Sequence, residues 1–281
     1  MSTSGIPKTY KLFIAGKFPR SESGRITEVR SAQGEFLANA SRASRKDFRN
    51  SVVAARKAAA GWAKASSYLK GQILYRIAEV LDGRSEQFVK ELGARGFSQK
   101  KAEADVAEAV DLLVHYAGWT DKYQALFSSV NPVASAHFNF SVPQPSGLVG
   151  IIAPRSGSLA ALVSAIAPAL LGGNALVVLA AQDALSAISF AEVLVSSDVP
   201  AGVVNLLTAQ RAELVPEFVK HMDVNAVLLC SDDVDERKNA EWQSAENLKR
   251  LSLHPDRALA RSPYHILDFQ EIKTTWHPIG V

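Results

Sequence analysis

Few side chains in this chain are equipped for nucleophilic or metal chemistry. Cys230 is the only cysteine, which excludes an intramolecular disulfide and a Cys-rich zinc site. It follows the apolar run Ala226–Leu229, and a thiol at such a strand end is expected to be a small buried residue rather than a reactive thiolate. Asp232, Asp233, Asp235 and Glu236 form an acidic cluster just beyond it. Carboxylates at that density suit Mg²⁺ or Ca²⁺. They equally suit the first turn of a helix, where free amides and the dipole favour negative charge, and this second reading is preferred. The histidines are His115, His137, His221, His254, His265 and His277. None has a His-x-x-x-His partner, so no metal site is expected. His137 and His277 are candidates to face each other across a terminal sheet. No G-x-G-x-x-G turn offers a dinucleotide fingerprint. Arg42, Arg45, Lys46 and Arg49 read as a solvated helix start.

The elements that would position these groups change character along the chain. Ser44 and Asp47 predict a capping box, followed by Phe48, Val52, Ala55 and Ala59 on one helical face, with Gly61 ending the helix. A second helix carries Ile73, Ile77, Val80, Leu81 and Phe88 inward, with Arg76, Glu79 and Arg84 outward. A third runs from about residue 100 to 118, with Val106, Val110, Leu113 and Ala117 inward. Residues 136–142 alternate strictly and predict a half-buried strand ended by Pro143 and Pro145. Strands at 148–153, 175–179, 203–207 and 226–229 then alternate with helices at 158–171, 184–195 and 212–220. That order implies right-handed βαβ units around a parallel sheet. Residues 232–250 read as a polar helix, and a last strand is expected around Phe269 to Trp276.

Composition sets the outer limits. Hydrophobic residues make up 47% and charged residues 21%, which excludes disorder throughout. Residues 156–182 carry no charge, but Pro168, Gly172, Gly173 and Asn174 divide them into a buried helix and a buried strand, so no membrane span is expected. The net charge of +3 gives no reason to expect nucleic acid or anionic membrane as a partner. The apolar run at residues 12–15 is too short for the core of a signal peptide, so no export signal is expected there, and one cysteine suits a reducing cytoplasm, the expected location.

Several blocks, in order, resemble the aldehyde dehydrogenase superfamily: Tyr116-Ala117-Gly118-Trp119-Thr120-Asp121-Lys122, Pro145-Ser146-Gly147-Leu148-Val149-Gly150, Ala167-Pro168-Ala169-Leu170 with Gly172-Gly173-Asn174-Ala175, Pro200-Ala201-Gly202-Val203-Val204-Asn205, and His221-Met222-Asp223-Val224. The resemblance implies an α/β coenzyme domain of Rossmann-like type with flanking helices, at 1–130 and 143–260. It also implies a small protruding oligomerisation sheet, built from strands at 131–142 and 261–281. Only about thirty residues separate Cys230 from Arg261, too few for the catalytic domain that the family places there.

The same resemblance implies degenerate chemistry. The family attacks its aldehyde with a thiolate and uses a carboxylate base, and no cysteine follows Cys230. Its Pro-Trp-Asn-Phe-Pro element supplies an oxyanion-stabilising amide. Here the element reads Pro154-Arg155-Ser156-Gly157-Ser158, so Ser156 replaces the asparagine and Arg155 sits at the rim, where it would bind an anion or pair with a carboxylate. The ribose-gripping Lys-Pro-Ser/Ala-Glu segment corresponds to Val178-Leu179-Ala180-Ala181. The Phe-Thr-Gly-Ser turn corresponds to Leu229-Cys230-Ser231-Asp232, and acidic residues there would repel a pyrophosphate. The leading expectation is therefore a non-catalytic assembly or regulatory subunit with no cofactor. Assembly would use Phe138, Phe140 and Val142 with Phe269, Ile272 and Trp276, in a homodimer or with a full-length aldehyde dehydrogenase. The alternative is an NAD(P)-dependent oxidoreductase that borrows a partner's nucleophile. A third is an enzyme of unrelated class with a repurposed cleft at Ser156 and Arg155.

Overall fold

Apolar strands that alternate with helices bury both faces of a sheet, and the second half of this chain does so. The computed structural model describes residues 8–180 and 184–280. In chain order the first part holds β1 (Thr9–Tyr10), β2 (Ile26–Arg30), β3 (Phe36–Ser41), α1 (Arg45–Lys64), α2 (Ser67–Asp82), α3 (Ser85–Ala94), α4 (Gln99–Ala117) and α5 (Tyr123–Phe127). Then come β4 (Ser129–Asn131), β5 (His137–Pro145), β6 (Leu148–Ile152), α6 (Leu159–Leu171), β7 (Ala175–Leu179), α7 (Ala184–Val195), β8 (Val204–Leu207) and α8 (Arg211–Lys220). The chain continues through β9 (Ala226–Cys230), α9 (Val234–Ala245), β10 (Arg250–His254), α10 (Tyr264–Leu267) and β11 (Gln270–Pro278).

Five of these strands form a parallel sheet in the order β10-β9-β6-β7-β8. Side chains leave it alternately to two core layers. Val149, Ile151, Leu176 and Val178 join Leu74, Leu113 and Ile166 on one face, while Leu148, Ile152, Val177 and Leu179 join Phe48, Val52 and Phe218 on the other. Gly150 lies at the middle of β6, and a Cβ there would stand 2.7 Å from the Phe218 ring. No helix among the described residues is long and apolar enough to cross a membrane; the uncharged stretch is α6 followed by β7.

The capping box forms as predicted: the Ser44 hydroxyl accepts from the Asp47 amide and Asp47 accepts from the Ser44 amide. Other expectations need correction. Gly61 does not end α1, which runs to Lys64. One helical glycine costs about 1 kcal/mol, and the burial of Trp62, whose indole donates to the Leu170 carbonyl at 2.9 Å, offsets it. The second helix is two, broken at Gly83 and Arg84. The break turns Arg84 inward, where it pairs with Glu192 at 2.6 Å. Pro143 and Pro145 do not end β5. They lie beyond the reach of β4, which pairs only with residues 139–141, and a one-sided strand tolerates proline. The polar helix stops at Ala245, and β10 adds a fifth strand in register with Ala226–Cys230. The N-terminal sheet β1-β3-β2 was not anticipated from sequence.

Lys249 sits between α9 and β10. Its ammonium donates to the His221 carbonyl at 2.7 Å and to that of Val224. Burial pushes its pKa down to about 8. The folded chain therefore gives up this proton near pH 8, while the unfolded chain holds it until about 10.5. Stability should rise with pH across that window, by at most about 1.4 kcal/mol per pH unit. Burial pushes Cys230 up to about 12, so ionisation of its thiol in the unfolded chain offsets the Lys249 rise above about pH 9 and levels the trend. Urea unfolding at pH 7, 8 and 9 should show the rise, and Lys249→Met should flatten it. An unchanged slope in the variant would rule out Lys249 as the cause.

Candidate functional site

Strand β6 has β7 on one side and β9 on the other, and the order of connection reverses there. In open α/β sheets the crevice beyond the carboxyl ends of two such strands is where ligands bind. Here Arg211, the first residue of α8, fills it. Its guanidinium donates to the carbonyls of Ala153 at 2.9 Å and Cys230 at 3.0 Å, one beyond β6 and one at the end of β9. The same group makes a bidentate pair with Glu236, at 3.2 and 2.9 Å. Glu236 also accepts from the Ser231 hydroxyl at 2.5 Å and from Arg155 at 3.1 Å. The Arg211 side chain is only 7% exposed and that of Glu236 16%. Burial opposes ionisation of Glu236, but the hydrogen bonds from Arg211 and Ser231 outweigh it and hold the carboxyl below its ordinary range.

Helix N-termini on this rim are ordinarily places for anions, and those of α6 and α9 are occupied by the chain's own carboxylates. Asp105 of α4 accepts from the amides of Leu159 and Ala160, at 2.7 and 3.3 Å, and from the Ser158 hydroxyl. Asp233 caps α9 by accepting from the amides of Asp235 and Glu236, at 2.9 and 3.0 Å. A small space on this rim, lined by Pro154, Gly157, Ser158 and Ala180, measures about 20 Å³, room for roughly one water molecule.

The predicted site residues divide between this rim and other places. Arg155 pairs with a carboxylate: besides Glu236, its backbone amide donates to Asp256 at 2.5 Å. Pro154 is half-buried, whereas Ser156 is exposed, and its hydroxyl accepts from the Ser158 amide at 3.4 Å. Leu179 is fully buried in the core and Ser231 is buried against Glu236, while Asp232 is exposed. Ala181 lies outside the described residues. Cys230 is buried, with its thiol pushed up to about 12 by that burial. The acidic cluster thus works as a helix start, through Asp233 and Glu236 rather than Asp232. Arg211, Asp256 and Asp105 were missed by sequence reasoning. Their contacts span 25, 101 and 53 residues, and no local spacing marks them.

The small sheet has the order β11-β5-β4 and is antiparallel throughout. Paired residues share a face, and Phe138, Phe140 and Val142 pair with His277, Thr275 and Lys273. Val130 of β4 joins that face opposite Phe140. Ile272 and Trp276 pair with Pro143 and Asn139, so they lie on the other face. Phe269 is neither: it precedes β11 and is fully buried in the core. The six residues expected to act together therefore occupy two faces and the interior. His137 and His277 do not face each other either, because His277 pairs with Phe138 and His137 packs edge-on against Trp276, with ring centroids 5.8 Å apart.

A model of the aldehyde dehydrogenase family matches residues 18–255. The chain belongs to that family. Among similar proteins, an aldehyde dehydrogenase of Aspergillus niger is 29% identical over 247 residues, covering 86% of this chain and 49% of the relative. Cytosolic aldehyde dehydrogenase 1 of Elephantulus edwardii is 28% identical, covering 90% of this chain and 54% of its own. The NAD⁺ complex structure of an aldehyde dehydrogenase from Bacillus cereus superposes with a TM-score of 0.83 at 26% identity, covering 88% of this chain and 50% of that one. This aldehyde dehydrogenase family chain thus spans about half the length of these relatives. The Rossmann-like sheet of the family is present. Between β9 and β11, where the expected catalytic domain would fall, the chain holds α9, β10 and α10.

Proposed function

We propose that this chain is a non-catalytic aldehyde-dehydrogenase-like subunit with an assembly or regulatory role. It joins a second copy of itself, or a full-length aldehyde dehydrogenase, through its small antiparallel sheet. The observation that carries this reading is the crevice filled by Arg211 and Glu236. A coenzyme entering there would have to displace a buried, bidentate ion pair and compete with Asp105 and Asp233 for the helix amides. The absence of any cysteine after Cys230 within the 281 residues, and the burial of Cys230 itself, leave no candidate thiolate. Ser156, exposed at the rim, has a shorter reach than the amide it replaces. In this reading residues 1–130 and 143–260 are a coenzyme-type domain kept as scaffold, residues 131–142 and 261–281 supply the assembly strands, and the cytoplasm is the site of action.

Calorimetric titration with NAD⁺ and NADP⁺ should show no saturable binding at micromolar coenzyme, and the chain alone should reduce neither coenzyme with a panel of aldehydes. Saturable micromolar binding would favour the second reading, an NAD(P)-dependent oxidoreductase that relies on a partner for its nucleophile. That reading draws support from the likeness to a structure described as an NAD⁺ complex.

A further inference from the structure

His254 ends β10, at the same edge of the parallel sheet as the filled crevice, and His265 and Asp268 lie in and just after α10. The fold gathers their three side chains. His254 Nε2 stands 3.0 Å from Asp268 Oδ2, and His265 Nδ1 stands 3.3 Å from the same oxygen. All three donor atoms lie within 4.8 Å of one another. The rings meet edge to face with centroids 5.0 Å apart. Each residue is held from behind. The His254 carbonyl accepts from the Ser231 amide at 3.0 Å and from Arg237 at 2.9 Å, and the His265 amide donates to the Ser262 carbonyl at 3.3 Å. The side chains are 17–28% exposed, so the cluster is neither sealed nor loose on the surface.

We propose that His254, His265 and Asp268 bind a divalent transition-metal ion of the zinc class, with a fourth position open to water or a ligand. Ligands about 2.0–2.1 Å from a tetrahedral zinc ion lie about 3.3 Å from one another. Two of the three edges of such a site already have that length. Two imidazole nitrogens with one carboxylate favour zinc-like ions over magnesium or calcium, which prefer all-oxygen shells. Three protein ligands and one open position is the composition of open zinc sites rather than closed structural ones. A carboxylate only accepts, so each ring presents an N–H to Asp268 when no metal is bound. On binding, each neutral ring moves that proton to its other nitrogen, and the freed lone pair becomes the ligand. His-x₁₀-His-x₂-Asp is not a spacing that a motif search catches. It becomes a site only because β10 and α10 fold against each other. The inference stands apart from the proposed assembly role.

The test is calorimetric titration of the full chain with zinc chloride after dialysis against chelator, with magnesium chloride as control. The expected result is one equivalent of zinc bound and no magnesium. His265→Asn and Asp268→Asn should each weaken zinc binding at least ~30-fold, whereas His137→Ala and His277→Ala should leave it unchanged. Imidazole NMR resonances of the unmodified chain provide a readout that needs no variant: those of His254 and His265 should shift together with one equivalent of zinc. Absence of stoichiometric binding, or binding that survives both variants, overturns the proposal. So do zinc-induced shifts confined to the other histidines, which would leave the three residues a hydrogen-bonded cluster only.

Discussion

Replacing Arg211 by methionine should destabilise the chain by about 5 kcal/mol, while the double variant Arg211→Met, Glu236→Gln should recover part of that loss. Removing one partner of a buried ion pair costs about 3–5 kcal/mol, because the surviving charge stays buried without compensation. The lower end applies here, since Arg155 still reaches Glu236 at 3.1 Å. The change also removes the donors from the carbonyls of Ala153 and Cys230, and each buried acceptor left unpaired costs a further ~1 kcal/mol or more. Neutralising Glu236 removes the orphaned charge but not the orphaned carbonyls, so recovery should be partial. Domains of ordinary stability have only about 5–15 kcal/mol in total, so the single variant should be visible at once in urea unfolding. A loss below ~1 kcal/mol, or a double variant no better than the single, would mean that Arg211 and Glu236 do not hold the crevice shut.

The second large effect concerns assembly. Phe138 is 45% exposed and Val130 68% exposed, and they share one face with Phe140 and Val142. Burying one phenylalanine side chain is worth about 1.5–3 kcal/mol. Changing Phe138 and Phe140 to serine should then weaken an interface built on that face by at least 100-fold in Kd, on the order of 3 kcal/mol. Light scattering at micromolar concentration should give a dimer for the unmodified chain and a monomer for the double variant, with the far-UV circular dichroism unchanged. An unmodified chain that is monomeric when alone removes the self-association version. The version with a full-length aldehyde dehydrogenase is then judged by whether that partner co-purifies and whether the serine variant releases it. Changing Ile272 and Trp276 instead probes the opposite face of the sheet. It should have the smaller effect if the Phe138 face is the contact.

These two sites differ in how much of them can be read along the chain. The parallel sheet was legible because Leu148–Ile152 and Ala175–Leu179 are buried on both faces and read as unbroken apolar runs. The strand β10 was not, since its alternation of Arg250, Ser252 and His254 with Leu251 and Leu253 follows a polar helix without a clear stop. The N-terminal sheet escaped for a related reason: its strands are short, and most of β2 is exposed. At the crevice, the acidic start of α9 was visible as composition, yet the partner that gives Glu236 its role is Arg211, 25 residues earlier on another helix. Phe269 looked like the first residue of a sticky strand. The structure instead uses it as a root: its side chain is buried, and its carbonyl accepts from the Ser146 amide at 3.0 Å and from Asn174 at 3.2 Å. Sequence alternation shows which residues share a strand face, but not whether the chain has reached the sheet or is still in the core.

The pairing of β5 with β11 has a consequence for the nascent chain. Roughly 125 residues separate Pro145 from Gln270, so a ribosome adding about 5–20 residues per second leaves β5 without its longest neighbour for some 6–25 seconds. During that interval one side of an uncharged strand carrying Phe138 and Phe140 has only solvent or another polypeptide to bond with, the situation in which edge strands recruit wrong partners. The Ser146 amide turns to the Phe269 carbonyl, so by the alternation of an antiparallel ladder Pro143 and Pro145 withhold their donors from the opposite edge of β5, the one that faces away from β11 and lies past the end of β4. The prolines that failed to end the strand thus blunt its other edge, so that during synthesis this stretch offers a full row of donors only on the side that β11 will take.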